Sequence, residues 1–277
     1  MRARVWLLAA FALVAVSLPA VSDVGDADAD CFAGCPRWQL AVRSPWQALR
    51  NPGFTVAYDA QMREPRWVAY RAHALPRRQA PMYRQGWFAA DPRLDNAVGP
   101  FDYRGSGYDR GHLAPAFLLT ALYGREAGVA SYWMSNVTPQ TAPFNRLLWQ
   151  RLEEAEAHKI AKTEGELWVI AGPIFATSPA RTAQGVAIPT RFFRIWLSRD
   201  GSGRPSVCAF VVPQDVKGDE ALSQFVTPID AIEASSGLDF FPELDAAVQE
   251  PMERLGPDAH WPLAAIDHWP ARYGPKP

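Results

Sequence analysis

The chain has 277 residues, 48% hydrophobic and 21% charged, with 11 Trp and 14 Phe. That composition excludes an intrinsically disordered chain and suits one globular domain of about 200–250 residues with appendages, or two small ones. The formal net charge of −1 gives no bulk positive field to mark a polyanionic partner, although a local basic cleft or a bound metal ion escapes a bulk count.

In chain order, the first signal is N-terminal. Arg2 and Arg4 precede an almost purely apolar run from Val5 to Val16 that is short for a bilayer span. Ala20 and Ser22 then stand three and one positions before a cut ahead of Asp23. The pattern predicts a cleaved signal peptide over 1–22, with an uncleaved anchor as the alternative. The expected location is secreted or periplasmic, and no later segment is apolar enough to span a membrane. Residues 23–53 read as an N-terminal extension, 54–250 as the main domain and 251–277 as a Pro-rich tail. Three Cys are present, Cys31, Cys35 and Cys208. An oxidising compartment favours one disulfide and one free thiol. Cys31 and Cys35 could close a local loop, and Cys208 sits in an apolar run as a buried Cys would.

Phe54–Tyr58 and Trp67–Arg71 are short β-rich runs that form a hairpin or adjacent strands. Residues 72–107 read mainly as loop, and a loop of that length is often functional. Thr141–Lys162 is the best helix candidate, with Leu148, Trp149, Leu152 and Ala155 at helical spacing. Leu167–Ala171 reads as a buried strand stopped by Gly172-Pro173. Phe192–Leu197 and Val207–Val212 are antiparallel strands joined by a turn over Arg199–Arg204. Leu222–Ser236 begins as loop and becomes helical near Pro228–Glu233. Strands on both sides of the main helix, without βαβ alternation, predict an α+β domain with a largely antiparallel sheet.

Two clusters can carry chemistry. In Asp109-Arg110-Gly111-His112, a His with a near-neutral pKa is a natural general base, Arg110 offers a planar fork for phosphate, and Asp109 can hold the loop. A structural polar cluster is the bland alternative. Asn145 and Glu153 lie eight residues apart on the expected helix, within a quarter turn of one face and about 12 Å apart along the axis. Glu153 could reach a water on an ion held by Asn145. Equally, Asn145 could be a helix cap and Glu153 a solvated charge. His73, His158, His260 and His268 have no partners nearby in sequence and read as surface or packing residues.

The ordered set Asp109–Ala116, Ser135-Asn136-x-x-Pro139-Gln140, Asn145 and Trp149-x-x-Leu152-Glu153 resembles the DNA/RNA non-specific endonucleases of the ββα-metal group. Ala171–Ile174, Ile188–Thr190 and Gly237–Pro242 extend the likeness over about Trp67 to Pro242. The resemblance implies a ββα-metal finger beside the sheet, with helices packed on the sheet. It also implies a nuclease cutting DNA and RNA with little sequence preference, leaving 5′-phosphate and 3′-hydroxyl ends. It casts His112 as general base, Asn145 as the one protein ligand of Mg2+ (with Mn2+ or another divalent ion as possible substitutes), and Glu153 as holder of metal-bound water. Arg110 falls near the phosphate, Asn136 shapes the His loop, and an upstream arginine binds substrate phosphate. Arg84 is the match for that arginine, with Arg78 as rival. A binding module without turnover and a phosphodiesterase for other phosphoesters are the alternative functions.

Overall fold

A computed structural model describes residues 30–40, 46–77 and 87–272. Its centre is a six-stranded, wholly antiparallel sheet in the order β2-β3-β4-β7-β8-β9. The strands are β2 (Gln47–Asn51), β3 (Phe54–Asp59), β4 (Glu64–His73), β7 (Glu166–Ile174), β8 (Arg191–Arg199) and β9 (Pro205–Pro213). Two two-stranded ribbons flank it. In one, β1 (Arg37–Trp38) pairs with β10 (Leu238–Asp239); in the other, β5 (Asp109–His112) pairs with β6 (Val137–Gln140).

Both faces of the sheet are buried, so its central strands read as continuous apolar runs and not as alternating ones. Successive side chains still divide between two cores. Val68, Tyr70 and Ala72 of β4 with Phe192 and Trp196 of β8 face the helix Ala116–Ser131 and a long helix over 142–164. Trp67 and Ala69 with Phe193, Ile195 and Leu197 face the Cys31–Cys35 loop and the helix Ile229–Ser236. Cys31 and Cys35 form a disulfide and Cys208 is a buried free thiol. The α+β expectation holds, with helices on the sheet and a ββα finger at its side.

Three boundaries move. Gly172-Pro173 does not stop β7, which runs to Ile174. Pairing with β4 ends at Ala171, so the missing N–H of Pro173 breaks no ladder bond to β4, while β8 still pairs with it. Residue 54 is not a division, because Gln47–Asn51 forms the edge strand of the same sheet. Residue 251 falls inside the helix Ala246–Arg254. The segment that follows is built into the core: Trp261 and Ile266 are buried. The Arg151 side chain clamps it, donating to Trp269 O at 2.8 Å and also to Asp267 O. The expected leader lies outside the described residues, and none of the described helices is long and apolar enough to cross a membrane.

Candidate functional site

β5, β6 and the long helix form a ββα finger. β5 pairs with β6 in the register Asp109↔Gln140 through His112↔Val137. At Gly111 a Cβ would overlap the Gln140 side chain, so only glycine lets the ribbon close this tightly. The long helix packs on the ribbon through Trp149, whose indole Nε1 donates to His112 O at 3.2 Å. The Trp149 ring stacks on Phe144, with centroids 5.2 Å apart.

The helix is not regular. Phe144–Trp149 and Glu156–Ile160 are π-helical turns on either side of α-helical Gln150–Ala155. The i→i+5 bonding of a π-turn fits more residues into each turn. The eight-residue interval from Asn145 to Glu153 therefore lies nearer two whole turns than the roughly 2.2 of an ideal helix. Both residues, with His112, line a single cleft of about 330 Å³.

Asn145 and His112 are each held from behind. Asn145 is no helix cap: its Nδ2 donates to Asp109 Oδ2 at 3.1 Å, leaving Oδ1 as a free acceptor. Arg146 closes a bidentate pair on Asp109 at 2.7 Å for each bond. Burial opposes it, but these bonds hold the Asp109 carboxyl below its usual range. His112 sits between Phe88, with ring centroids 5.1 Å apart, and Tyr132 at 4.9 Å. Burial alone pushes its pKa down to about 4. Its Nε2 is buried and no protein group bonds it.

Glu153 is no solvated helix charge. Its Oε1 is buried, accepts no hydrogen bond and stands 3.5 Å from Arg194. Burial raises the carboxyl to about 8, Arg194 pulls against that rise, and Glu156 and Glu154 add to it.

Arg194 is the residue that sequence reasoning missed. It occupies the helix-side face of β8, fully buried with Glu156. Nη1 donates to Glu156 Oε2 at 2.8 Å, Nη2 to Leu113 O at 3.0 Å, and the guanidinium lies 4.4 Å from the Trp149 ring. Tyr70 and Trp196 also donate to Glu156, each at 2.8 Å. A charged residue within the apolar run Phe192–Leu197 was the available signal, since an unpaired charge there would be costly. Arg272, in the expected tail, also lines the cleft; it pairs with Glu154 at 2.7 Å and lies 4.1 Å from the Phe117 ring.

Two expected residues fall outside the cleft. Asn136 is fully buried: Oδ1 accepts from Ala114 N at 2.9 Å, and Nδ2 donates to Ala114 O and Ser131 O. It shapes the loop after His112 and cannot touch a reacting atom, so it belongs with the positioning residues. Arg110 is exposed, lies 4.8 Å over the Phe88 ring and lines a neighbouring groove. Alternation along β5 puts it on the same side as His112, with Phe88 between the two spaces. Arg84 and Arg78 lie outside the described residues. Two of the remaining His residues sit beside carboxylates: His158 lies 3.3 Å from Glu154 and His260 3.7 Å from Glu164.

Residues 42–247 match the family described as DNA/RNA non-specific endonuclease. The chain is 31% identical over 215 residues to the mitochondrial nuclease EXOG of Xenopus laevis, covering 72% of this chain and 59% of that protein. It is 31% identical over 219 residues to human mitochondrial endonuclease G, covering 72% and 70%. With nuclease C1 of Cunninghamella echinulata var. echinulata it shares 34% over 215 residues, covering 72% and 84%. Among solved structures, a chain of the EndoG/EndoGI complex superposes with a TM-score of 0.68 at 24% identity, over 83% of this chain and 96% of that one, which shows a shared fold.

Proposed function

The chain belongs to the DNA/RNA non-specific endonuclease family, and from that premise we propose that it is an extracytoplasmic nuclease cleaving DNA and RNA, with His112 as base and a divalent ion, Mg2+ foremost, held by Asn145. The observation that carries this reading is one cleft lined by His112, Asn145 and Glu153, in which His112 Nε2 and Glu153 Oε1 are both buried and without a hydrogen-bond partner.

The donor set fits a hard cation. Asn145 Oδ1 is a neutral oxygen ligand turned away from its bond to Asp109, and Glu153 Oε1 can accept a hydrogen bond from ion-bound water. One amide ligand leaves most positions for water and phosphate oxygens. The bound ion would neutralise charge developing on the phosphoryl group and on the leaving oxygen.

The protein's own residues do the rest. His112, kept neutral by burial, accepts the proton of the attacking water at Nε2. The water oxygen bonds to phosphorus as the bond to the 3′-oxygen breaks, and the departing oxygen takes a proton from solvent water, giving 5′-phosphate and 3′-hydroxyl ends. Phe88 and Tyr132 fix the imidazole plane. Trp149 and Arg194 tether the backbone carbonyls of His112 and Leu113, so the base keeps its place relative to the helix bearing Asn145. Arg110 outside the cleft and Arg272 within it supply positive charge along a phosphate backbone. Contacts made to phosphates favour weak sequence preference.

Export rests on the leader pattern of residues 1–22 and agrees with the Cys31–Cys35 disulfide. The relatives EXOG and endonuclease G are named as mitochondrial, so the proposal of export stands on this chain's own leader pattern and disulfide. Intact mass of exported protein should show a start at Asp23. The decisive assay digests plasmid DNA and RNA with and without Mg2+, with His112→Ala alongside. If the mature protein cuts neither polymer, the reading fails.

A further inference from the structure

Beside the cleft lies a second groove of about 470 Å³, walled by Trp87, Phe101, Arg104, Tyr108 and Arg110. Trp87 is 81% exposed and Phe101 72%. Large apolar side chains left in water next to a reaction centre are the ordinary mark of a binding surface. The Arg104 guanidinium lies 5.0 Å from the Phe101 ring and that of Arg110 4.8 Å from the Phe88 ring, so cations and π-faces share one surface. Phe88 is the common wall, touching His112 on one side and lining the groove on the other.

The walls are pre-set. Ala89, two residues after Trp87, donates its N–H to Tyr132 O at 3.2 Å and accepts from Met134 N at 2.8 Å. Phe101 lies in the 3-10 turn Pro100–Tyr103, fastened where Asp102 Oδ2 accepts from Gly99 N at 2.8 Å and from Arg63 Nη2 at 3.2 Å. Little ordering cost remains for a ligand.

The ligand must carry flat apolar faces and negative charge together. A nucleic-acid duplex hides its base faces in the stack, whereas an unpaired strand offers both. We propose that this groove is a subsite for unpaired bases next to the phosphodiester being cut, stacked on Trp87 and Phe101 with Arg104 and Arg110 on their phosphates. It rests on the nuclease reading and adds a preference for single-stranded or frayed substrate.

The test uses the full mature chain with His112→Ala, to prevent cleavage, and the same protein with Trp87→Ala and Phe101→Ala added. Fluorescence anisotropy measures affinity for labelled oligo(dT) of about twenty nucleotides and for a hairpin duplex of equal length. Removing both rings should weaken the single strand at least about tenfold and the duplex less than about twofold, with thermal melting unchanged because both rings are exposed. Trp87→Phe with Phe101→Tyr should restore binding to within about threefold by keeping two π-faces. Unchanged oligo(dT) affinity, or equal losses on both probes, overturns the subsite. Unchanged oligo(dT) affinity with an altered sedimentation coefficient overturns it in favour of a protein contact. Digestion by the unmutated protein is read in parallel. If that protein cuts neither polymer, the nuclease reading has failed; if it cuts both while oligo(dT) binding ignores the rings, only the groove assignment has failed.

Discussion

Replacing Arg194 by Met tests whether a buried cation on β8 holds the active site together. Met fills much of the aliphatic stem and removes four things: the bond to Glu156, the bond to Leu113 O, the ion pair with Glu153 and the stacking on Trp149. Glu156 keeps its donors Tyr70 and Trp196 but loses its cation while fully buried. Breaking one side of a buried ion pair costs about 3–5 kcal/mol. For a domain of this size each kcal/mol lowers Tm by roughly 2–4 °C, so the drop should be about 6–20 °C. Urea unfolding followed by tryptophan fluorescence reads the same loss. Adding Glu156→Gln to Arg194→Met should recover part of it, because the uncompensated charge is gone and the two side chains share one network. Turnover should fall further than stability explains at temperatures where the variant is still folded, because the loop carrying His112 loses its tether at Leu113. A Tm within about 2 °C of the parent, or a double variant whose loss equals the sum of the two single losses, would falsify the tether.

Four other outcomes follow from the cleft. His112→Ala should lower turnover by about 10²–10⁴-fold with substrate affinity nearly unchanged, and near-parental cleavage at neutral pH would remove His112 as base. Since burial holds this His near pKa 4, below its free value of 6.5, the neutral form persists across neutral pH. The stability it contributes is present above about pH 6.5 and is lost as pH falls through 4. Asn145→Ala should shift the Mg2+ concentration for half-activity upward at least about tenfold, and an unchanged titration would exclude it as the ligand. Glu153 has the opposite sign: its carboxyl is raised to about 8, so metal-free protein should lose stability as pH rises from about 4.5 through 8. Melting curves of Glu153→Gln in chelator should flatten across that window, and a slope identical to the parent's would show that Glu153 does not titrate there.

Much of the site was legible because it is local. Asp109–His112 and Asn145–Glu153 each lie within one element, where type and spacing already limit what a residue can do. The sheet strands were legible as apolar runs, since both faces are buried. What escaped was made by contacts distant in sequence. Arg194 approaches Leu113 across 81 positions and Glu156 across 38, and Phe88 reaches His112 from the long loop 72–107, whose length pointed to function but not to which residue. The length of β7 depended on which neighbour Pro173 faced, a property of the sheet and not of the dipeptide. The π-turns, which bring Asn145 and Glu153 toward one line, have no signature in a pattern read at a 3.6-residue period.

The Arg194 tether also bears on how such a site can be moved or rebuilt. The strands and helix bearing His112, Asn145 and Glu153 form a contiguous stretch of chain that looks portable. Its second fastening, however, comes from β8, well past the end of that stretch. A transplanted 109–164 segment would arrive with Glu156 and the Leu113 carbonyl facing an empty place. A host scaffold would have to offer a guanidinium from a neighbouring strand, so the smallest transferable unit of this active site includes part of the central sheet.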